Sequence, residues 1–280
     1  MIQFRLNRLF NEKSGRALDV AVDHGFFGEP SFLNGIENMQ QAIDVLVDAG
    51  PDAIQLTPGQ APILQGRMGK EKPALVMRTD VANVYGSPLP DTLFNVTFPD
   101  AVERALRLDA TCLCVNLLDL PGQPEIRRDC IVGIMALREA CDRYQMPLMI
   151  EPLVMQDNEK GGGYMTNGDA DMIVSLVRQA RELGADLIKA DPTADIADYH
   201  RVIEVAGDTP VLVRGGGRVD DQTLLERTGA VLEQGARGIV YGRNIIQHDD
   251  PAGITKALMS MLHDGRSSDE AFAELQGGTQ

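Results

Sequence analysis

A lysine at the end of an apolar run is the residue of this sequence with the clearest chemical potential. Lys189 follows Leu187 and Ile188 in the segment ADLIKADP, where loss of solvation would favour the neutral amine. A neutral lysine can attack a carbonyl carbon and form a Schiff base. The same lysine could instead be an idle cation that pairs with Asp191 or Asp23, and the residues alone leave both interpretations open.

Two glycine-containing segments in the last third of the chain could bind an anion. Arg214, Gly215 and Gly216 end one apolar run, and Gly242 and Arg243 end the next. Glycines let backbone N–H groups approach an anion closely, and arginine can hold phosphate through two parallel hydrogen bonds. Each segment alone could be a tight turn, but together they predict a phosphate site, which fits flavin-binding and sugar-phosphate-binding proteins equally.

Carboxylates also fall at the ends of apolar runs, where they could move protons. Asp23 ends the first run and Glu151 ends the fifth. Near Lys189 and Arg78, either carboxylate could exchange protons with substrate oxygen or carbon, or could simply neutralise those cations. His24 could contact the substrate, or could be tied to a loop carbonyl, and Arg78 is predicted to bind the substrate or its phosphate. Because the sequence has no HExxH motif and no zinc-type cluster, it predicts neither a metal nor another cofactor.

The elements that must position these residues are short β-rich runs, each followed by polar or glycine residues. The runs are 17–25, 52–59, 74–80, 110–118, 147–154, 185–192, 210–217 and 237–244. Their centres lie about 31 residues apart on average, which suits one strand and one crossover helix. Eight such units predict a single (β/α)8 barrel, in which the active site lies at the carboxyl ends of the strands.

Apolar periodicity predicts the helices and the domain boundary. The predicted helices are 36–49, 126–144, 172–183, about 220–235 and 251–263. The stretch 58–72 is typical of a short or irregular connection. Since no linker interrupts the chain, we expect one barrel domain over 1–263 and a tail or short helix over 264–280, where Ser267 and Glu270 have capping-box spacing.

Composition limits the partners and the compartment. With 26 basic and 41 acidic residues, the net charge of −15 disfavours binding to nucleic acid or to an anionic membrane surface. The apolar runs are shorter than the roughly 20 residues that cross a bilayer, and the first residues lack a signal-peptide core, so we expect a cytoplasmic protein. Without CxxC pairs, the cysteines are expected to be buried thiols, at Cys112, Cys114, Cys130 and Cys141.

Four motifs occur in order along the chain: DHG at 23–25, GADLIK at 184–189, PVLVRGGG at 210–217 and ARGIVYGRNI at 236–245. This set resembles the class I aldolases of the archaeal fructose-bisphosphate aldolase type, in the DeoC/LacD superfamily. The resemblance covers residues 4–262. It implies a (β/α)8 barrel that forms an imine between a lysine and a phosphorylated ketose, without a metal, and that assembles into a large homo-oligomer.

The resemblance also assigns roles to individual positions. Lys189 would be the Schiff-base lysine, and Asp23 would orient substrate hydroxyl groups or help in proton transfer. The phosphate would be held by Gly215, Gly216, Gly242 and Arg243.

Two positions depart from the pattern that the resemblance implies. Leu153 stands where the fructose-bisphosphate enzymes usually carry an acid/base tyrosine. Glu151, on the same side of the strand, is similar to the glutamate of tagatose-bisphosphate and sulfo-sugar-phosphate aldolases, so we predict it as the acid/base. Arg214 replaces a residue that is commonly small, and it could bind a second anionic group of the substrate.

The predicted function is therefore a metal-independent aldolase that acts on a phosphorylated ketose and releases or uses an aldehyde. Cleavage would break the C3–C4 bond of the lysine imine once the C4 hydroxyl loses its proton. Two alternatives stay open. The protein could be a transaldolase or an acyl-transferring relative that acts on a phosphorylated ketone, or a non-catalytic barrel that binds a sugar phosphate or a flavin.

Overall fold

Eight parallel strands close into a barrel in the computed structural model, which describes residues 2–69 and 71–277. The strands of the chain are β1 (Ala17–Ala21), β2 (Ala53–Leu56), β3 (Ala74–Arg78), β4 (Asp80–Ala82), β5 (Asn95–Thr97), β6 (Cys112–Asp119), β7 (Leu148–Asp157), β8 (Tyr164–Thr166), β9 (Leu187–Ala190), β10 (Val211–Arg214) and β11 (Gly238–Tyr241). The barrel follows chain order and closes where β11 pairs with β1. Each predicted β-rich run contains one barrel strand, and the predicted (β/α)8 fold is confirmed.

The barrel interior is filled by small and medium side chains below its carboxyl-terminal mouth. Alternate residues of each strand point inwards, and on β1 these are Ala17, Asp19 and Ala21. The interior cluster also contains Ala53, Ala74, Cys112, Cys114, Met149, Leu187, Leu212 and Val240. Leu9, which precedes β1 and is 0% exposed, closes this cluster at the amino-terminal end of the strands.

Helices surround the barrel and form the second, larger apolar cluster with its outer face. The helices are α1 (Ile2–Leu6), α2 (Met39–Ala49), α3 (Ala61–Gln65), α4 (Ala101–Arg107), α5 (Pro124–Tyr144), α6 (Ala170–Glu182), α7 (Tyr199–Ala206), α8 (Asp221–Glu233), α9 (Arg243–Ile246), α10 (Pro251–His263) and α11 (Ser268–Gly277). Four predicted helices agree with α5, α6, α8 and α10 within about two residues. The short α3 occupies the stretch predicted as a short or irregular connection, in which residue 70 lies outside the described residues.

The predicted start of the helix 36–49 is wrong by three residues, because α2 begins at Met39. Asn38 caps this helix, since its side-chain oxygen accepts a hydrogen bond from the Gln41 N–H at 3.1 Å. Ile36 is buried although it precedes the helix, so its apolar character marked the core and not a helical turn.

The last helix, α11, packs against α8 and α10 through the buried Ala271 and Leu275. Its first turn has the predicted capping box: the Glu270 N–H donates to Ser267 Oγ at 3.2 Å, and the Ser267 N–H donates to Glu270 Oε2 at 2.9 Å. The division between a barrel domain over 1–263 and a tail over 264–280 stays a prediction. Residue 1 of the predicted domain and residues 278–280 of the predicted tail lie outside the described residues.

Two short antiparallel pairs extend the mouth of the barrel, and neither was predicted. Strands β4 and β5 form a hairpin after β3, and β8 pairs with the end of β7. All four cysteines are buried and none is in a disulfide, as expected. Within the described ranges, no helix combines the length and the apolar character that a membrane span requires.

Candidate active site

A cavity lies at the carboxyl-terminal mouth of the barrel, where the fold predicts an active site. All ten residues predicted for the site line this cavity: Asp23, His24, Arg78, Glu151, Lys189, Arg214, Gly215, Gly216, Gly242 and Arg243. The other lining residues are Ala21, Phe27, Phe32, Tyr85, Asn116, Leu153 and Val240. The structure therefore brings together every predicted site residue, while the role of each stays a prediction.

Glu151 is the carboxylate on which three cations converge. Its Oε2 accepts from Arg78 Nη2 at 2.5 Å and lies 3.1 Å from Lys189 Nζ, and its Oε1 lies 3.0 Å from Arg214 Nε. Burial alone would raise the pKa of Glu151, but Lys189, Arg78 and Arg214 together hold that pKa well below its usual range. Glu151 is therefore a carboxylate in the free protein.

The partner of Lys189 is set by the alignment of two strands. Met149 lies beside Leu187 in the parallel pair of β7 and β9, so the next inward residues, Glu151 and Lys189, meet at the same height. The pairs weighed in the sequence, with Asp191 or with Asp23, are not formed. Lys189 is 4% exposed, so its ammonium faces the cavity from an otherwise buried position.

Arg78 connects two carboxylates from opposite sides of the mouth. Its Nε donates to Asp23 Oδ2 at 2.7 Å while its Nη2 donates to Glu151. Its Nη1 is also engaged, with Asn116 Oδ1 at 3.0 Å and Asp80 Oδ1 at 3.3 Å. Because every nitrogen of this guanidinium already donates to the protein, Arg78 is better placed to fix the carboxylates than to bind the phosphate for which it was predicted.

Asp23 has two donors on one oxygen. Gln55 Nε2 donates to Asp23 Oδ2 at 2.7 Å, beside the bond from Arg78. Burial would raise the pKa of Asp23, but the charges of Arg78 and Lys189 lower it below its ordinary value. Its carboxylate is thus charged and oriented, with Oδ1 making no hydrogen bond within the described part of the chain.

Two carboxylates engage the guanidinium of Arg214. It contacts Glu151 through Nε, and its Nη1 donates to Asp191 Oδ1 at 2.8 Å. Two carboxylates therefore share the charge that was predicted to bind a second anionic group.

Arg243 differs from the other arginines of the cavity because no carboxylate within 2–69 or 71–277 pairs with it. Its Nη2 donates to the Gly216 carbonyl at 3.1 Å, and its guanidinium lies over the Phe32 ring, 4.9 Å from the centroid. Burial and the neighbouring charge of Arg214 lower its pKa, although the group remains a cation. Such a cation is the part of the cavity best suited to an anionic ligand.

The glycine segments leave backbone open beside Arg243. Gly216 has a φ of 64°, in the left-handed region, and a side chain there would project into open space. Asn244 fixes this turn, since its Nδ2 donates to the Gly215 and Gly217 carbonyls at 3.1 and 3.3 Å and its Oδ1 accepts from the Val219 N–H at 3.0 Å. The turn is therefore held in place while its backbone stays accessible.

His24 is a neutral imidazole at the edge of the cavity. Burial is the main cause that lowers its pKa to about 4, and the nearby cations Arg243, Lys189 and Arg214 lower it further against the opposing charge of Asp23. Its Nδ1 is buried without a hydrogen-bond partner in the described ranges. A Cβ at Gly242 would come within 2.5 Å of its ring, so a side chain at this position would displace the imidazole.

Two residues that the sequence reasoning missed also belong to this region. Asp19 is 0% exposed inside the barrel, and neither of its carboxylate oxygens has a hydrogen-bond partner among the described residues. Asp19 lies in the apolar run ALDVA, an even number of residues before Asp23, so alternation along the strand places both on the same face. This spacing was the feature of the sequence that could have identified Asp19. Tyr85 reaches the cavity from the loop after β4, and no spacing in the sequence pointed to it.

The model of the DeoC/LacD aldolase family matches residues 17–248 of the chain. The chain belongs to the DeoC/LacD family of aldolases. This aldolase is accordingly an enzyme of the lyase class, which confirms the family resemblance seen in the motifs. The alternative of a non-catalytic binding barrel is set aside.

Curated relatives of this aldolase match over nearly its whole length. An uncharacterized aldolase of Saccharolobus solfataricus is 30% identical over 284 residues, which cover 98% of each chain. A protein of Enterobacter sp. named 3-hydroxy-5-phosphonooxypentane-2,4-dione thiolase is 28% identical over 273 residues, covering 97% of this chain and 84% of its own.

Solved structures of similar fold include Schiff-base aldolases. A Schiff-base-forming fructose-1,6-bisphosphate aldolase has a TM-score of 0.76 and 24% identity, with 94% of this chain and 100% of the other covered. An archaeal fructose-1,6-bisphosphate aldolase, whose catalytic lysine is bound to the carbinolamine intermediate, has a TM-score of 0.76 and 23% identity with the same coverage. At these identities the likeness establishes the shared fold.

Proposed function

We propose that this aldolase forms or cleaves a carbon–carbon bond in a phosphorylated ketose through a Schiff base on Lys189. The observation that carries the proposal is the placement of Lys189 Nζ, 3.1 Å from Glu151 Oε2, in a cavity that also holds Arg243, with which no carboxylate of the described residues pairs. A lysine, a carboxylate in contact with it and a phosphate-binding corner are the groups that imine chemistry on a keto phosphate needs.

Glu151 is the group that we assign to proton transfer at the imine. Lys189 passes a proton from its ammonium group to Glu151, with which Nζ is in contact, and the neutral amine then attacks the ketone carbon. Glu151 returns that proton to the carbinolamine hydroxyl, which leaves as water and gives the iminium. When Lys189 gives up its proton, one of the three cations on Glu151 disappears. The carboxylate then becomes a better proton acceptor at the step that requires one.

The iminium supplies the electron withdrawal that the bond cleavage needs. The C3–C4 bond breaks when the C4 hydroxyl loses its proton, and the electron pair moves into an enamine that is later protonated at C3 and hydrolysed. Asp23, held by Arg78 and Gln55, would accept hydrogen bonds from the hydroxyl groups of the substrate. Arg78 then acts as a positioning residue for Asp23 and Glu151.

The phosphate would bind at Arg243 and at the backbone of Gly215, Gly216 and Gly242. This assignment rests on the guanidinium of Arg243, with which no carboxylate in the described ranges pairs, and on the open turn that Asn244 fixes. Arg214 could contact a second anionic group of the substrate only if its guanidinium also kept its contacts with Glu151 and Asp191.

A second candidate reaction is acyl transfer from a phosphorylated dione to a thiol. The Enterobacter relative carries a thiolase name, and a second cavity adjoins the first across Arg214 and Arg243, where an acceptor could enter. Activity that requires an added thiol would favour this reaction over aldol cleavage. The aldehyde partner, a homo-oligomeric assembly and a cytoplasmic location stay predictions.

Trapping of the imine tests the proposed function directly. We expect dihydroxyacetone phosphate and sodium borohydride to add one reduced ketone phosphate to the intact protein, on the peptide that contains Lys189. Lys189→Ala should lose both the adduct and turnover while keeping its fold. Lys256→Ala, which removes an exposed lysine of α10, is the matched control and should retain both. A folded wild-type protein that gives no adduct would contradict the proposed function.

A further inference from the structure

Tyr85 is held rigidly at the cavity although it comes from a loop. Its backbone forms an isolated β-bridge with Gly163, on the turn between β7 and β8. Its ring packs edge-on against Phe27 and Phe32, with centroids 5.5 and 5.2 Å away. Both phenylalanines belong to the segment after β1, so one part of the barrel mouth holds the ring of Tyr85 and another holds its backbone.

The Tyr85 hydroxyl faces the cavity without a hydrogen-bond partner among the described residues. Within residues 2–69 and 71–277, its oxygen makes no hydrogen bond, and the side chain lines the cavity that contains Lys189. Burial raises the pKa of Tyr85 above its usual value, against the opposing charges of Arg214 and Arg243 and together with the like effect of Glu151 and Asp191. The phenol is therefore protonated in the free enzyme.

The other titratable groups of the cavity are less suited to this step. Glu151 is bound by three cations, and Asp23 is bound by Arg78 and Gln55. His24 has a pKa near 4 and is a weak base. Leu153, two residues beyond Glu151 on the same strand, also lines the cavity, but its aliphatic side chain cannot carry a proton.

We propose that Tyr85 transfers the protons of the carbon–carbon bond step, an inference that rests on the proposed function. In condensation, C3 of the enamine attacks the aldehyde carbon, and the electron pair of the carbonyl moves to its oxygen. That oxygen takes the proton of Tyr85 Oη and becomes the C4 hydroxyl. The resulting phenolate recovers a proton from C3 of the next ketone iminium, which regenerates the enamine.

The charges around Tyr85 suit this cycle. Arg214 and Arg243 line the same two cavities as Tyr85, and their charges favour the phenolate against the effect of burial on the pKa of Tyr85. Glu151 serves the imine nitrogen and Tyr85 serves the carbon and oxygen of the bond that forms, so each step has its own proton carrier.

The test separates imine formation from proton transfer at carbon. Dihydroxyacetone phosphate is incubated with the enzyme in D2O, and loss of the C3 proton is followed by NMR without any aldehyde. Parallel samples are trapped with borohydride. Tyr85→Phe removes only the hydroxyl and keeps the ring packing, while Tyr144→Phe, at the exposed end of α5, is the matched control.

We expect Tyr85→Phe to form the Lys189 adduct and to lose C3 exchange by about 10²–10⁴-fold, while Tyr144→Phe retains both. An adduct with exchange close to the wild-type rate would overturn the role of Tyr85 and leave the proposed function intact. Loss of the adduct in Tyr85→Phe would also overturn it, because the hydroxyl would then serve imine formation. A wild-type protein with neither adduct nor exchange would overturn the proposed function, and the role of Tyr85 with it.

Discussion

The buried carboxyl of Asp19 predicts an unusual dependence of stability on pH. Asp19 has no hydrogen-bond partner in the described ranges, and burial raises its pKa from 3.8 to about 7. Lys189 and Arg78 oppose this shift, while Asp23 and Glu151 add to it. We expect Asp19→Asn to remove this pH dependence from the free energy of unfolding.

The sign and size follow from the two pKa values. Between about pH 4 and pH 7 the folded chain keeps a proton on Asp19 that the unfolded chain loses, so stability contributed by this group falls as the pH rises. The difference between 3.8 and about 7 corresponds to on the order of 4 kcal/mol, since one pKa unit is about 1.4 kcal/mol. Above pH 7 the loss is complete.

Urea unfolding at several pH values between 4 and 8, followed by circular dichroism, measures this effect. The asparagine amide is also buried without a partner, at a cost of roughly 1–3 kcal/mol, but this cost does not depend on pH. The stability of Asp19→Asn relative to wild type should therefore rise by about 4 kcal/mol across the range. Asp48→Asn, at an exposed carboxylate of α2, is the control. A difference between Asp19→Asn and wild type that stays constant with pH would refute the reasoning.

Two further predictions concern the phosphate corner and the imidazole. Asn244→Ala removes three hydrogen bonds from the turn after β10. We expect KM for a phosphorylated ketose to rise about 5–100-fold, while borohydride trapping persists at saturating ketone. An unchanged KM would contradict the role of this turn. Because the pKa of His24 is about 4, its ring resonances, assigned by comparison with His24→Asn, should show the neutral form down to about pH 5 in an NMR titration. A midpoint near 6.5 would show that burial does not control this residue.

The sequence was sufficient to predict the barrel and the location of its site, because each apolar run ends where a strand reaches the mouth. Asp23 and Lys189 could be chosen by that criterion alone. Glu151 was chosen in the same way, but the expectation that it ends its strand is wrong, because β7 continues to Asp157. The partner of Lys189 could not be chosen, because strand alignment decides it. Residues 149 and 187 are opposite one another, and nothing in either run encodes that pairing by itself.

Residues away from strand ends were beyond the same criterion. Tyr85 is placed by a hairpin whose strands β4 and β5 have three residues each, too short for a clear alternation, and by a bridge to Gly163 far along the chain. Asp19 lay inside a recognised run, where a single carboxylate among apolar residues was not weighed. Its burial follows from the inward face that it shares with Ala17 and Ala21.

The closed lower end of the barrel limits how hydrogen isotopes can exchange during turnover. Leu9 and the interior side chains are buried to within a few per cent, so water reaches Lys189 from the mouth. A substrate that reaches Lys189 enters by the same mouth and, while it fills that opening, would slow exchange between the protons of the cavity and bulk solvent. A deuteron taken from C3 can then return to the same carbon before it is diluted, and substrate recovered after partial reaction would retain more label than free exchange allows.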